Sequence, residues 1–204
     1  MWHTAAAMRA VVVLFLSVFV LGCPPKLPPY DYTKEPDPRH KELTLGVGDQ
    51  LAINVWEQKD LTVDVTVRAD GTITMPLVGD FAAAGKTPSA LQKEITQKVQ
   101  VFIKPPGGEV TVGVKSWKSY RFTIQGEVVR PSVYSADQFV TVADAIAMAG
   151  GPSRFAKRKY IKLFRTDPAT KKTREIPLDY DALSSGKRLD MNIYVLPGDV
   201  IYLP

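Results

Sequence analysis

Over residues 61–75 the apolar side chains fall on every second position. Leu61, Val63, Val65 and Val67 alternate with Thr62, Asp64 and Thr66, and Ile73 and Met75 alternate with threonines. A period of two belongs to a strand with one buried face, because successive side chains point to opposite sides of a sheet. Asp70 and Gly71 between the two runs predict a tight hairpin joining them. Pro76 then marks the end of that pairing or a sheet edge. Ile53 and Val55 around Asn54, and Val110, Val112 and Val114, repeat the alternation. The first domain opens at residues 43–51 with a tight turn at Gly48 and Asp49.

Helical spacing is confined to two windows. Thr87 caps the first, Pro88 suits its opening turn, and Leu91, Ile95, Val99 and Phe102 form one apolar face expected against the sheet. Lys104, Pro105, Pro106, Gly107 and Gly108 stop it. The second window starts at Thr141 with Asp144 three residues on, a capping-box arrangement. Val142, Ala145, Ile146 and Ala149 make its narrow stripe, and Gly150, Gly151 and Pro152 end it. Before this window, residues 122–128 and 133–134 read as two strands joined around Arg130, Pro131 and Ser132. After it come a strand at Ile161, Leu163 and Phe164, a tip at Asp167 and Pro168, and a closing stretch at 195–203. Two strands, a helix and further strands is the order of a β-grasp fold. The fold class is therefore α+β, in two small domains at 43–117 and 118–204.

The N-terminus predicts the compartment. Arg9 precedes an apolar run at residues 10–21, interrupted by Ser17, and then come Gly22 and Cys23. That is the plan of a secretory signal, and the run falls short of the roughly 20 apolar residues that span a bilayer. The stretch Val20, Leu21, Gly22, Cys23 resembles a bacterial lipobox, with Val20 where leucine is preferred. The resemblance implies a signal peptide at 1–22, starting at Met1 or Met8, and acylation of Cys23. As the single cysteine, Cys23 has no partner for a disulfide within the chain. Two or three acyl chains anchor stably where one does so only marginally. Pro24 stands where lipoproteins kept at the inner membrane carry aspartate, which implies the outer membrane, facing the periplasm. Residues 23–42 hold six prolines and no hydrophobic periodicity. They read as a lipidated tether reaching up to roughly 50 Å in polyproline form.

Composition narrows the function. A net charge of +5 is mild, far from the dense basic patch of a nucleic-acid binder, so no nucleic-acid partner is expected. The histidines are His3 and His40, one in the signal and one in the tether. That argues against Ser-His-Asp or Cys-His catalysis and against a His/Cys metal site. Asp179 with Asp181, and Asp64 with Asp70, are the acid pairs a glycoside mechanism would need, but they read better as turn and strand-face residues. Gly46, Val47 and Gly48 lack the third glycine and the strand-turn-helix setting of a dinucleotide loop. No catalytic residue, cofactor or metal is expected.

A family resemblance rests on several motifs in order. The turn at residues 45–49, the stretch Asp70, Gly71, Ile73, Pro76 and Gly79, and the helix start at Gly85, Lys86 and Thr87 resemble the polysaccharide biosynthesis/export domain. Residues 122–134, 141–151 and the closing Pro197, Gly198 and Asp199 resemble a soluble-ligand-binding β-grasp (SLBB) domain. On these motifs the chain resembles the outer-membrane polysaccharide export (OPX, Wza-type) lipoproteins. Ending at Pro204 without a C-terminal amphipathic helix, it resembles their short class. The resemblance implies a homo-oligomeric ring, a separate outer-membrane β-barrel partner, an inner-membrane co-polymerase and a polysaccharide substrate.

A basic run lies within the second domain. Arg154, Lys157, Arg158, Lys159, Lys162 and Arg165, then Lys171, Lys172 and Arg174, read either as a solvated hairpin or as a contact for a polyanion, lipid headgroups or a partner. The first four are the candidate contact. Trp56, Trp117 and Tyr120 are candidates for stacking on sugars or for core and interface positions. Three roles are carried forward: a passive conduit or adaptor in polysaccharide export, a lipoprotein binding a soluble glycan, and a carbohydrate-active enzyme. The first is favoured.

Overall fold

The computed structural model describes residues 27–103 and 109–204. Two hydrophobic cores organise them. The first is built by strands β1 (Gln50–Val55), β2 (Val63–Thr66), β3 (Thr72–Met75), β4 (Gly79–Ala82) and β5 (Val110–Ser116) with helix α1 (Pro88–Val99). A sheet in the order β2-β1-β5 is antiparallel throughout, so Ile53 lies between Val63 and Val112. Leu51, Ile53, Ile73, Met75 and Phe81 are buried on one side, and Leu91, Ile95 and Val99 of α1 close over them. Thr87 caps α1 by accepting a hydrogen bond from the amide of Ala90 at 3.2 Å, as the sequence predicts.

Two expectations about this unit are corrected. Phe102 is not on the buried helical face: α1 ends at Val99, the chain turns, and Phe102 is 63% exposed while Ile103 packs against the core. The strands either side of Asp70-Gly71 do not pair with each other. The turn itself forms, with the Gly71 amide donating to the Arg68 carbonyl at 2.9 Å. Val67, however, spends its amide on the Asp49 carbonyl and its carbonyl on the Gly48 amide. β2 therefore stays with β1, and β3 pairs with β4 in a separate hairpin.

The second core is built by β6 (Arg121–Gly126), β7 (Ser132–Ser135), α2 (Val142–Met148), β8 (Ile161–Thr166), β9 (Thr173–Leu178), α3 (Tyr180–Ser184) and β10 (Val200–Leu203). The strand order is β7-β6-β10-β8-β9, and β10 runs parallel to β6 while every other pair is antiparallel. The capping box is present at Thr141 and Asp144, and Val142, Ala145, Ile146 and Ala149 are all buried. The α+β class in two units holds.

Residues 27–40 correct the extended-tether reading. Tyr32 is 6% exposed inside the second core, donates its hydroxyl to the Pro177 carbonyl, and lies 5.0 Å from the ring of Tyr30. Asp31 and Asp37 each cap a single 3-10 turn, Tyr32–Lys34 and Pro38–His40. Farther on, Glu42 accepts from the amide of Ser89 at the start of α1. The segment is thus a strap that crosses the second unit before the chain enters the first. Prolines set its extended backbone, but the aromatic pair at i and i+2 supplies the burial that a free linker lacks.

Candidate functional site

One turn is built twice, once in each unit. In residues 46–49 the Asp49 carboxylate accepts from the Gly46 amide at 2.8 Å, and the Asp49 amide returns a bond to the Gly46 carbonyl at 3.2 Å. In residues 196–199 Asp199 and Leu196 repeat both bonds at 2.7 and 3.0 Å. Gly48 and Gly198 sit at φ of 92° and 87°, the left-handed region a type II turn demands at its third residue. Both aspartates are buried, and each spends its remaining acceptor capacity on a distant segment.

Asp49 holds the junction between the units. It accepts from the Ser119 amide and hydroxyl, each at 2.7 Å. A Cβ added at Gly46 would stand 2.4 Å from the Ser119 Cβ, so this approach requires glycine. Asp199 instead faces Arg165, which is 4% exposed. The Arg165 Nε donates to both Asp199 oxygens at 3.1 Å, and its two terminal nitrogens reach Glu35 and Asp199, each at 2.6 Å. Glu35, from the strap, also accepts from Arg174 at 2.9 Å and from the Tyr30 hydroxyl. Glu35, Asp199 and Arg165 are thus buried together, and the half-exposed Arg174 supplies the second positive charge from the solvent side. Burial pushes the Asp199 carboxyl up against the lowering pull of Arg165. Burial, followed by the bond to Glu35, pushes the Tyr30 hydroxyl up to about 12.

The basic run is split among four settings. Arg165 belongs to this buried cluster, Lys162 pairs with Glu175 on the neighbouring strand at 2.9 Å, and Lys171 and Lys172 lie at the exposed end of the β8–β9 hairpin. Arg154, Lys157, Arg158 and Lys159 are brought together, all exposed, on the 153–160 loop between α2 and β8. That loop is fixed by its backbone: the Lys157 amide donates to the Pro204 carbonyl at 2.6 Å and the Tyr180 amide to the Arg158 carbonyl at 2.8 Å. Arg158 pairs with Asp181 at 2.9 Å, whereas Arg154, Lys157 and Lys159 enter none of the ion pairs found among the described residues. Lys159 lines a cleft of about 540 Å³ with Leu27, Tyr30, Tyr160 and Arg188. A second cleft, of about 650 Å³, opens beside the cluster between Pro36, Asp167, Lys172, Arg174 and Pro197.

Other candidates resolve individually. Cys23 lies outside the described residues. Tyr120 is core: it is 1% exposed and donates its hydroxyl to the Val195 carbonyl at 2.8 Å. Trp117 is half-buried and touches both cores, while Trp56 is 63% exposed. Asp179 caps α3, Asp181 pairs with Arg158, Asp64 with Lys115 and Asp70 with Arg68. Among the described residues no group of three or more His, Cys, Asp or Glu side chains could hold a metal ion, and no helix is long and apolar enough to cross a membrane. Sequence reasoning missed the strap's Glu35 and the roles of Asp49 and Asp199. The shared Gly-Asp step before a strand was the available signal.

Comparison with known proteins agrees with this architecture. Residues 37–115 match the polysaccharide biosynthesis/export protein family, and residues 121–175 match the SLBB domain. The capsule polysaccharide export protein BexD of Haemophilus influenzae is 27% identical over 178 residues, which is 78% of this chain and 43% of that protein. The EPS I polysaccharide export outer membrane protein EpsA of Ralstonia solanacearum is 29% identical over 131 residues, 52% of this chain and 34% of the relative. The exopolysaccharide production protein ExoF of Rhizobium meliloti is 32% identical over 130 residues, 57% of this chain and 30% of the relative. The matched region spans less than half the length of each of these relatives. The chain thus carries a polysaccharide biosynthesis/export domain followed by an SLBB domain, and it is similar to relatives named for capsule and exopolysaccharide export.

Proposed function

We propose that the protein is an outer-membrane-anchored component of a capsule or exopolysaccharide export machine, acting in the periplasm as a passive conduit or adaptor for the polymer. The observation that carries this reading is the export domain followed directly by an SLBB domain, a stretch shared with relatives named for polysaccharide export. Cys23 supplies the anchor by acylation, and the role requires no catalytic group.

The packing argues for assembly. Both cores are filled by side chains at or near zero exposure, so neither unit offers a lumen for a hydrated polymer. A passage must then lie between copies, in a homo-oligomeric ring with a closed head-to-tail interface. Such an interface joins two different surfaces of the subunit, and exposed apolar groups are available on both units. Trp56 lies on the first, and on the second Val133, at 52% exposure, lies on edge strand β7 with Val129, at 59%, just before it. The ring would dock below an outer-membrane β-barrel and above an inner-membrane co-polymerase. Crosslinking in cells of cysteine pairs introduced at Trp56 and Val133 tests the assembly. A ladder of closed oligomers is expected, and a strict monomer with no envelope partner would refute it.

A further inference from the structure

Leu27, the first described residue, packs on the second core and lines the same cleft as Lys159 and Tyr160. Cys23 stands four residues before it. Four residues of fully extended chain reach at most ~14 Å. The headgroup layer is itself about 5–7 Å thick on each side of a bilayer. A lipid on Cys23 therefore draws the Leu27 side of the second unit to within a lysine's reach of the headgroups. The ~50 Å of free travel expected of an extended tether does not exist.

The surface brought there has a composition suited to an anionic bilayer. Arg154, Phe155, Lys157 and Lys159 are all exposed on the 153–160 loop, with the Arg154 guanidinium 4.7 Å above the Phe155 ring. Phe155 is 69% exposed, an apolar group beside cations, which is the pairing that settles at a membrane interface. Charge is also distributed asymmetrically. Residues 118–204 carry 14 Lys and Arg against 9 Asp and Glu, whereas residues 43–117 carry 7 against 8.

We infer that the 153–160 loop is a second membrane contact, in which Lys157 and Lys159 meet the anionic headgroups of the bilayer that holds Cys23. This rests on the acylation of Cys23 proposed above. One acyl site and one basic surface together fix the subunit's orientation, with the second unit against the membrane and the first projecting away from it.

The test uses the mature chain, residues 23–204, carrying Cys23→Ser, because every described element lies within residues 27–204. Its partitioning is measured on phosphatidylcholine vesicles with and without phosphatidylglycerol. Preference for the anionic vesicles is expected. A lysine near such a surface is worth roughly fivefold in partitioning, so Lys157→Gln with Lys159→Gln lowers it roughly 25-fold. The control pair Lys59→Gln with Lys93→Gln, exposed on the first unit, leaves it unchanged. Equal binding to both vesicles, or an equal loss from the control pair, would overturn the contact. So would tighter binding of soluble polygalacturonate than of vesicles through the same lysines, which would assign the surface to the polymer. Any of these results with Cys23 acylated in cells defeats the contact alone. Absence of acylation at Cys23 defeats both the anchor and the contact.

Discussion

Replacing Arg165 with methionine removes a buried cation while leaving its carboxylates in place. The Arg165, Glu35 and Asp199 side chains are 5%, 2% and 2% exposed. Breaking a buried pair by deleting one partner costs about 3–5 kcal/mol, since the other charge stays desolvated and unpaired. Against a total stability of roughly 5–15 kcal/mol, that is a large fraction. With a urea dependence near ~2 kcal/mol per molar, the unfolding midpoint followed by circular dichroism should fall by roughly 2 M. The strap should also be cut faster by protease at residues 27–42, because Glu35 loses its main partner. The deficit should shrink as pH falls. In the native protein the Asp199 carboxyl is already raised by burial, so its titration favours folding at low pH and that contribution is lost as pH rises through its folded pKa. Without Arg165 the lowering influence disappears, and a neutral Asp199 at acid pH needs no counterion. Adding Asp199→Asn to Arg165→Met should recover part of the loss at neutral pH. A single-variant cost below about 1 kcal/mol, or no recovery in the double variant, would refute the buried-cluster argument.

Ile95→Ala should cost about 2–5 kcal/mol in urea unfolding, whereas Phe102→Ala should stay within about 0.5 kcal/mol; reversed values would place α1 in the wrong register. Gly46→Ala should destabilise by about 1–3 kcal/mol through overpacking at Ser119, with partial rescue by Ser119→Gly. Metabolic labelling with palmitate should be abolished by Cys23→Ser, and labelling that survives the change would remove the anchor. Asp37 is held down to about 2, chiefly by its hydrogen bond from the Arg39 side chain. Its contribution is present above the unfolded carboxylate range and lost as pH falls through the folded value, so Asp37→Asn should flatten the acid limb of the stability profile, and an unchanged limb would dismiss it.

Local chemistry explains what the sequence disclosed. Caps at Thr87 and Thr141 need only neighbouring residues, so both helix starts were legible to the residue. Strand alternation likewise reported which faces are buried. Partner choice was less legible, because it depends on distant groups: Val67 bonds to Gly48 and Asp49, and that diverts β2 from the hairpin that Asp70-Gly71 predicts. Phe102 kept helical spacing past a helix that had ended, a boundary error that periodicity alone cannot detect. Proline content conceals the strap, whose burial comes from Tyr32 and Glu35 meeting residues more than a hundred positions away. At the candidate site, the four loop cations were legible as a cluster. Arg165 was not separable from them, since burial beside Asp199 is a property of the closed sheet.

The proposed role in polysaccharide export is tested by deleting the gene. Surface and periplasmic polymer would be measured in the deleted strain and after complementation with the intact gene. Loss of surface polymer, retention of polymer inside the envelope, and restoration by the intact gene are expected. Normal surface polymer in the deleted strain, with none retained in the periplasm, would contradict it.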